Sequence, residues 1–381
     1  MGDNVRLRHF GDCARLVRDT CNPTDVPPLT PYIGLEHIPE NDLHLSDYGF
    51  AGDVASTKTK FKKEDILFGK LRPYFRKVII APFDGVCSTD IWVVRAKKEV
   101  DQKYLFYWMA SHEFVDQATQ GSEGTKMPRA KWEYISRFEQ PVPSLPEQHF
   151  IAEVLGALDD KIELNRLMNA TLESMARAVF KAWFVESEEA KGWKAGTVDE
   201  DFSLIMGQSP PGETYNEEKV GIPFFQGRAD FGFRFPTNRV YCTAPTRFAK
   251  PGDTLVSVRA PVGDINMVAE KCAIGRGVAA IRHKTGSRSY TYYSMHMLKE
   301  EFNRFEAEGT VFGSINKADF QALKVKIPPP DKVLGFEEIC YPIDQQVENN
   351  KKQSYTLASL RDALLPRLMS GEMRVRDSVN Q

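Results

Sequence analysis

What most restricts how this 381-residue chain can fold is that it nearly repeats itself. "LDDKIELN" (Leu158 to Asn165) falls on "IDQQVENN" (Ile343 to Asn350) at an offset of 185, which keeps Asp159 with Asp344, Ile162 with Val347, Glu163 with Glu348 and Asn165 with Asn350. "FKKEDILFGKLR" (Phe61 to Arg72) aligns with "FAKPGDTLVSVR" (Phe248 to Arg259) at an offset near 187. Two registers that agree within a few residues make chance similarity a poor explanation and a duplicated structural unit the better one.

Both halves share one internal order. Short apolar segments cut by Gly, Pro, Asn and Asp come first, as in "DILFGKLRPYFRKVIIAPFDG" and "DTLVSVRAPVGDINMVAE", and read as strands and turns. A long helical pattern follows. Ile151, Leu155, Leu158, Ile162, Asn165, Asn169, Leu172, Ala176, Val179 and Trp183 recur at alternating steps of four and three, the spacing of a coiled-coil seam. The matching positions of the second half are Phe336, Cys340, Ile343, Val347, Asn350, Ser354, Leu357, Arg361, Leu364 and Leu368. Prolines precede both helices, where a missing N–H does little harm, and Gly192 and Gly371 lie beyond their expected ends. Such a stripe can be ordinary domain core. Asn165 and Asn350 favour pairing between the two helices, because a seam Asn weakens packing but fixes register and partner. Leu158, Ile162, Asn165 and Leu172 are therefore expected to pair with Ile343, Val347, Asn350 and Leu357. A helix from Ile151 to Phe184 would rise about 50 Å.

Catalytic signatures are absent. The sequence has no GxxxxGK[ST], HExxH or GxSxG, and its seven histidines do not cluster at metal-ligand spacing, so neither catalytic nor metal residues are expected. "NPTD" at Asn22 resembles the Asn-Pro turn of adenine methyltransferases, but it lacks the aromatic that would stack on a flipped base and no glycine-rich cofactor loop precedes it. A turn explains it better. "GRG" at Gly275 to Gly277 reads as a turn or a close backbone approach, and "DD" at Asp159 as a solvated helix face. The six cysteines form no CxxC pair, which indicates neither a zinc knuckle nor a disulfide framework. The opening "MGDNVRLRHF" is charged where a signal peptide is apolar, and no apolar run approaches the roughly eighteen residues of a membrane helix, so a cytoplasmic location is expected. A net charge of -2 argues against a chain that neutralises many phosphates alone.

Local charge is another matter. Between Ala55 and Pro82 eight basic residues (Lys58, Lys60, Lys62, Lys63, Lys70, Arg72, Arg76, Lys77) face two acids, interleaved with Phe61, Phe68, Tyr74 and Phe75. Gln226 to Val262 carries six basic residues (Arg228, Arg234, Arg239, Arg247, Lys250, Arg259) against two acids, again among aromatics. Phosphates attract such charges, and Arg can read guanine edges with two hydrogen bonds. Each patch alone could be a solvated strand face, but equivalent placement in both repeats favours DNA contact. The polar loops "GSEGTK" and "EGTVFGSINK" add Ser122, Lys126, Thr310, Ser314 and Lys317 as candidate donors. Arg72 and Arg259, each following the Asp-apolar segment, are expected at equivalent places.

A glycine-serine loop, "PSLPEQ" and "IAEVLGALDDKIELNRLMNATLESMARAVFKAWF" together resemble the first conserved helical region of the specificity subunits of type I restriction-modification enzymes. "LRDALLPRLMSGEMRV" resembles their C-terminal conserved region, and "GQSPPGETYN", "GIPFFQG" and "GDTLVSVRAPVGD" a common variety of their target-recognition domain; the likeness covers nearly the whole chain. One departure is "PPPDKV", where the family, like the first copy at Pro146 to Gln148, has a Leu-x-Glu-Gln type of sequence. The resemblance implies an α+β chain with two pseudo-repeated target-recognition domains separated by two long helices packed as an antiparallel coiled coil. Residues 1–145 and 186–327 would be the recognition domains, 146–185 and 328–375 the helical segments. It implies a non-catalytic subunit that binds double-stranded DNA, each domain reading half of a bipartite site. Two methyltransferase subunits docked on the helices would bring S-adenosylmethionine, and restriction subunits ATP and Mg; this chain itself would carry no cofactor. The competing class is a DNA-independent coiled-coil scaffold with two protein-binding modules.

Overall fold

The computed structural model describes residues 6–307 and 313–373. Two compact units emerge, Met1–Leu164 with Gln353–Gln381 and Asn165–Lys352, and the division falls inside both long helices.

In the first unit Ala14–Val17, Ile91–Ala96, Ile66–Gly69 and Val78–Ile80 form, in that spatial order, an antiparallel sheet. Its central strands are apolar at successive positions because both faces are covered. Ile66, Phe68, Trp92 and Val94 enter one core cluster, while Leu67, Ile79, Ile91 and Val93 enter another, as the two-residue period of a strand requires. The second unit repeats this sheet with Phe202–Met206, Val278–His283, Thr254–Ser257 and Ile265–Met267. Each unit adds a five-stranded sheet containing one parallel pair, Pro31–Ile33 with Gly85–Ser88 in the first and Ile222–Phe225 with Cys272–Ile274 in the second. The duplication therefore extends through both sheets.

Between the four-stranded sheet and the long helix each unit has two helices of nine or ten residues: Gln102–Ala110 and His112–Gln120 in the first, Arg288–Met297 and Lys299–Ala307 in the second. The sequence reading held only strands and turns there. In Gln102–Ala110 every residue from Tyr104 to Ala110 is buried, so its apolar residues cover all faces and no helical period shows.

The long helices are Leu145–Lys181 and Pro330–Met369, whose first residues differ by the same 185 that relates their seams. The departure at "PPPDKV" leaves the second start in register. It does change a side chain that matters. Gln148, fully buried, accepts from the Asp101 amide at 2.9 Å and donates to the carbonyls of Pro143 at 2.9 Å and Glu99 at 3.3 Å; the matching Val333 is equally buried but packs in the apolar core.

No position of the ten-residue seam on either helix is exposed. In the first unit Ile151 and Leu155 share a cluster with Leu365 and Leu368, and in the second Ala176 and Phe180 share one with Cys340 and Phe336. Residue order runs in opposite directions on the two partners, so each unit contains an antiparallel helix pair. Leu158, Ile162, Leu172, Ile343 and Leu357 are half-buried; Asn165, Val347 and Asn350 are buried. The Asn165 side-chain amide donates to the Asn350 carbonyl at 3.4 Å, and that of Asn350 to Asn169 Oδ1 at 2.8 Å. All six cysteines are buried free thiols.

Candidate nucleic-acid interface

Among the described residues no cluster of His, Cys, Asp and Glu is arranged to hold a metal, and no helix is long and apolar enough to cross a membrane. "NPTD" is a capped turn, the Asn22 amide donating to Asp25 Oδ2 at 3.0 Å. At "GRG" the backbone does approach closely: a Cβ on Gly277 would meet the Gln226 carbonyl oxygen at 2.5 Å.

Three of the basic candidates are spent on the fold. Lys58 is buried, its Nζ donating to the carbonyl and Oγ of Ser56 at 2.6 and 2.7 Å, and burial lowers its pKa. Arg76 is buried too, donating to the Ala110 carbonyl at 2.6 Å and to Asp362 at 3.2 Å; burial outweighs Asp362 and lowers its pKa. Arg234 is enclosed by Glu173, Asp344 at 2.5 Å and the Tyr293 hydroxyl at 2.7 Å, with Tyr292 under its guanidinium at 4.0 Å. None of these three can reach a duplex without unfolding its surroundings, and all three leave the set. Composition could not separate them from surface residues, because a buried Arg and an exposed one are the same letter among aromatics.

The "DD" pair also differs from its expectation. Asp160 is exposed, but Asp159 is buried, accepting from Arg361 Nη1 at 2.6 Å and from the Tyr107 hydroxyl at 2.7 Å.

The other candidates remain at the surface. In the first unit Lys62, Lys63, Tyr74 and Lys126 are exposed, and Lys60, Lys70, Arg72 and Ser122 half-buried. Arg72 and Lys126 come together, Arg72 Nη2 donating to the Lys126 carbonyl at 3.4 Å. In the second, Arg228, Arg239, Arg247, Arg259, Ser314 and Lys317 are exposed; Arg228 pairs with Asp264 at 2.5 Å, and Arg239 with Asp230 at 2.9 Å and Glu217 at 3.3 Å. Arg259 and Ser314 meet across an isolated antiparallel bridge. Thr310 lies outside the described residues.

Beside the first polar loop lies a groove of about 600 Å³ whose walls include Arg18, Lys70, Thr89, Arg129, Lys131 and Trp132. The loop is a hairpin, with Ser122 opposite Ala130 and Glu123 opposite Arg129, and its tip turns at Gly124, whose φ of +103 suits glycine. Arg129 and Lys131 escaped the sequence reading because the polar loop was followed only through "GSEGTK" to Lys126, and both lie just beyond it.

A model of the type I restriction modification DNA specificity domain matches residues 26–174 and again 191–354. The chain is similar to a type I restriction enzyme MjaX specificity subunit of Methanocaldococcus jannaschii, 25% identical over 378 residues that cover 91% of this chain and 88% of that one. It also resembles the type I restriction enzyme MjaIX specificity subunit of the same organism, at 26% identity over 336 residues, 80% of this chain and 72% of the other. Among solved structures, the S subunit of a type I restriction-modification system from M. genitalium superposes with a TM-score of 0.61 over 96% of each chain, at 17% identity.

Proposed function

Since the chain belongs to the type I restriction modification DNA specificity domain family, we propose that its two units each read one half of a bipartite sequence in double-stranded DNA. The chain is a non-catalytic DNA-recognition subunit of a type I restriction-modification system, and itself cofactor-free. Membership implies methyltransferase and restriction subunits as associates. One observation carries the bipartite reading: the family domain matches twice, and the unit around each match has its own pair of sheets and its own exposed basic residues. Two copies of a domain on one chain can read two different sequences. In this reading the chemistry, with S-adenosylmethionine, ATP and Mg, belongs to the partner subunits in the cytoplasm.

The long helices offer the docking surface for two methyltransferase subunits. Thr171, Met175 and Ala178 are exposed on one helix, and Thr356, Leu360 and Ala363, each 185 residues later, on the other. Met175 and Leu360 are 52% and 47% exposed, a large apolar residue at the same place in each unit. Matched apolar patches fit two copies of one partner.

Binding of the full chain to duplex DNA over a salt series, with and without methyltransferase subunits, tests the reading. Recognition requires affinity that falls with salt, reflecting released counterions. A scaffold that ignores DNA would bind none at any salt. Sequencing of modified bases after exposure to the methylating complex then gives the site, which on this reading has two specified halves around an unspecified gap.

A further inference from the structure

The antiparallel bridge noted at Arg259 has a counterpart in the first unit. There Leu71 is bridged to Arg129, the Arg72 amide donates to the Pro128 carbonyl at 2.7 Å, and the Ala130 amide to Lys70 at 2.9 Å. In the second unit Arg259 is bridged to Ser314, the Ala260 amide donates to Gly313 at 3.0 Å, and the Ile315 amide to Val258 at 3.1 Å. Bond for bond, Leu71 corresponds to Arg259, Arg129 to Ser314 and Arg72 to Ala260. The register here is thus 188 (71 to 259), one residue away from the alignment that put Arg72 on Arg259. A one-residue slip in an extended segment exchanges the faces.

Side chains of residues directly opposite in an antiparallel pair emerge on the same face. Each unit therefore carries a single arginine at this bridge, on opposite strands: Arg129 in the first, Arg259 in the second. Arg72 behaves differently. Its backbone is left-handed at φ +51, and its half-buried guanidinium turns back towards Phe75, 6.0 Å away, and the Lys126 carbonyl.

Taking the DNA-recognition reading above as its basis, we propose that Arg129 and Arg259 are the equivalent base-reading arginines of the two units, and that guanine is what Arg129 reads. Arg129 Nε and Nη2 donate to Asp90 Oδ1 and Oδ2 at 2.9 and 3.1 Å. That uses one edge of the planar guanidinium; the other, Nη1 with the second Nη2 hydrogen, bonds no described residue, and Arg129 lines the groove. Two parallel donors on a fixed plane match the O6 and N7 acceptors of guanine in the major groove. An ion pair this exposed, 46% at Arg129 and 26% at Asp90, adds little to folding, so its effect is to aim the fork. Lys70 and Lys131 beside it suit the flanking phosphates. In the second unit Arg259 is exposed, with the Ser314 hydroxyl opposite as a further donor.

The test uses the full chain assembled with its methyltransferase subunits, a randomised duplex library, and sequencing of the bound fraction for the unsubstituted protein and for Arg129→Ala, Arg129→Gln, Arg259→Ala and Arg72→Ala. Arg129→Ala and Arg129→Gln should each lose guanine preference at one base pair of one half-site, by about 5- to 150-fold, with the other half-site unchanged. Arg259→Ala should do the same at one base pair of the other half, and Arg72→Ala should preserve both preferences. Thermal unfolding at the unsubstituted temperature shows that a variant is folded. Retained preference in folded Arg129→Ala overturns the assignment, as does a uniform loss at all positions with a salt slope flatter by about one, the mark of a phosphate contact. If the unsubstituted protein enriches no sequence, the DNA-recognition reading itself falls and this assignment with it.

Discussion

Asp159 and Asp344 occupy the same place in the repeat and both are buried, yet different arginines neutralise them. Asp159 faces Arg361 from the opposite long helix, at a seam position, and Asp344 faces Arg234 from the recognition domain, which Glu173 also grips. Burial works against the charged form of Arg361, but Asp159 and Asp362 together outweigh it and raise the guanidinium pKa. Removing one member strands the other in a dry site. Arg361→Ala is therefore expected to destabilise the first unit, and Arg234→Ala the second, by about 3–5 kcal/mol each. Chemical denaturation read by a probe in each unit checks this, and an unshifted midpoint would show that the pairs contribute nothing. Burial at His296 has a pH signature. Enclosure and the nearby Arg177 and Arg234 push its pKa down to about 3. The folded protein then binds fewer protons than the unfolded chain between about pH 6.5 and about 3, so stability falls with falling pH throughout that window, by up to about 1.4 kcal/mol per unit. His296→Gln should flatten that part of the thermal-stability profile, and a profile parallel to the unsubstituted one would contradict it. Individual residues were the least legible scale in the sequence. Lys58, Arg76 and Arg234 looked like phosphate ligands because sequence shows charge without showing burial, and the Arg72 with Arg259 match failed because only the hydrogen bonds around the bridge set that register.

At the level of elements, legibility followed periodicity. The long helices could be read because every seam position recurs at heptad spacing, including the polar Asn165 and Asn350, whereas Gln102–Ala110 could not because burial on all sides erases the period. Gln148 and Val333 show two solutions to the same junction. The amide of Gln148 satisfies three backbone groups, so Gln148→Val should leave the Asp101 N–H and the Pro143 carbonyl without it and cost about 1–3 kcal/mol. The reverse change, Val333→Gln, buries an amide among apolar side chains and should cost a similar amount. Thermal unfolding of both variants decides; stability gained in either would mean that the two junctions are interchangeable. The outward helix faces carry a separate expectation. Met175→Lys or Leu360→Lys should each weaken binding of one methyltransferase subunit by about 2 kcal/mol or more, roughly 30-fold, while DNA affinity of the chain alone is preserved. Titration of purified subunits counts the sites lost, and full occupancy by both copies would move the docking surface elsewhere.

For the whole molecule, duplication means that each recognition domain should be replaceable without rewriting the other, but the structure shows where the cut belongs and what must cross it. A junction at residue 140 would divide the strand Glu139–Val142, which pairs with Arg6–His9; Pro143, just beyond it, leaves that ladder whole. Several contacts of the first unit span such a junction, and three of them make specific demands on a donor domain. Tyr107 donates to Asp159 at 2.7 Å, Arg76 to Asp362 at 3.2 Å, and the Asp101 amide to Gln148 at 2.9 Å. A donor domain that lacks the Tyr and Arg equivalents would leave the buried Asp159 short of a hydrogen bond and take one partner from Asp362, costing about 1–3 kcal/mol at Asp159 alone. The expected outcome has two parts. With a donor that carries both residues, exchange of residues 1–143 should change one half of the methylated sequence and preserve the other; with a donor that lacks them, the chimaera should assemble poorly until Tyr and Arg are restored at positions 107 and 76. Modified-base sequencing reads the first part, and subunit assembly with and without the restoring substitutions reads the second. Alteration of both half-sites by the first kind of donor would show that the units do not read DNA independently, whatever the similarity of their folds.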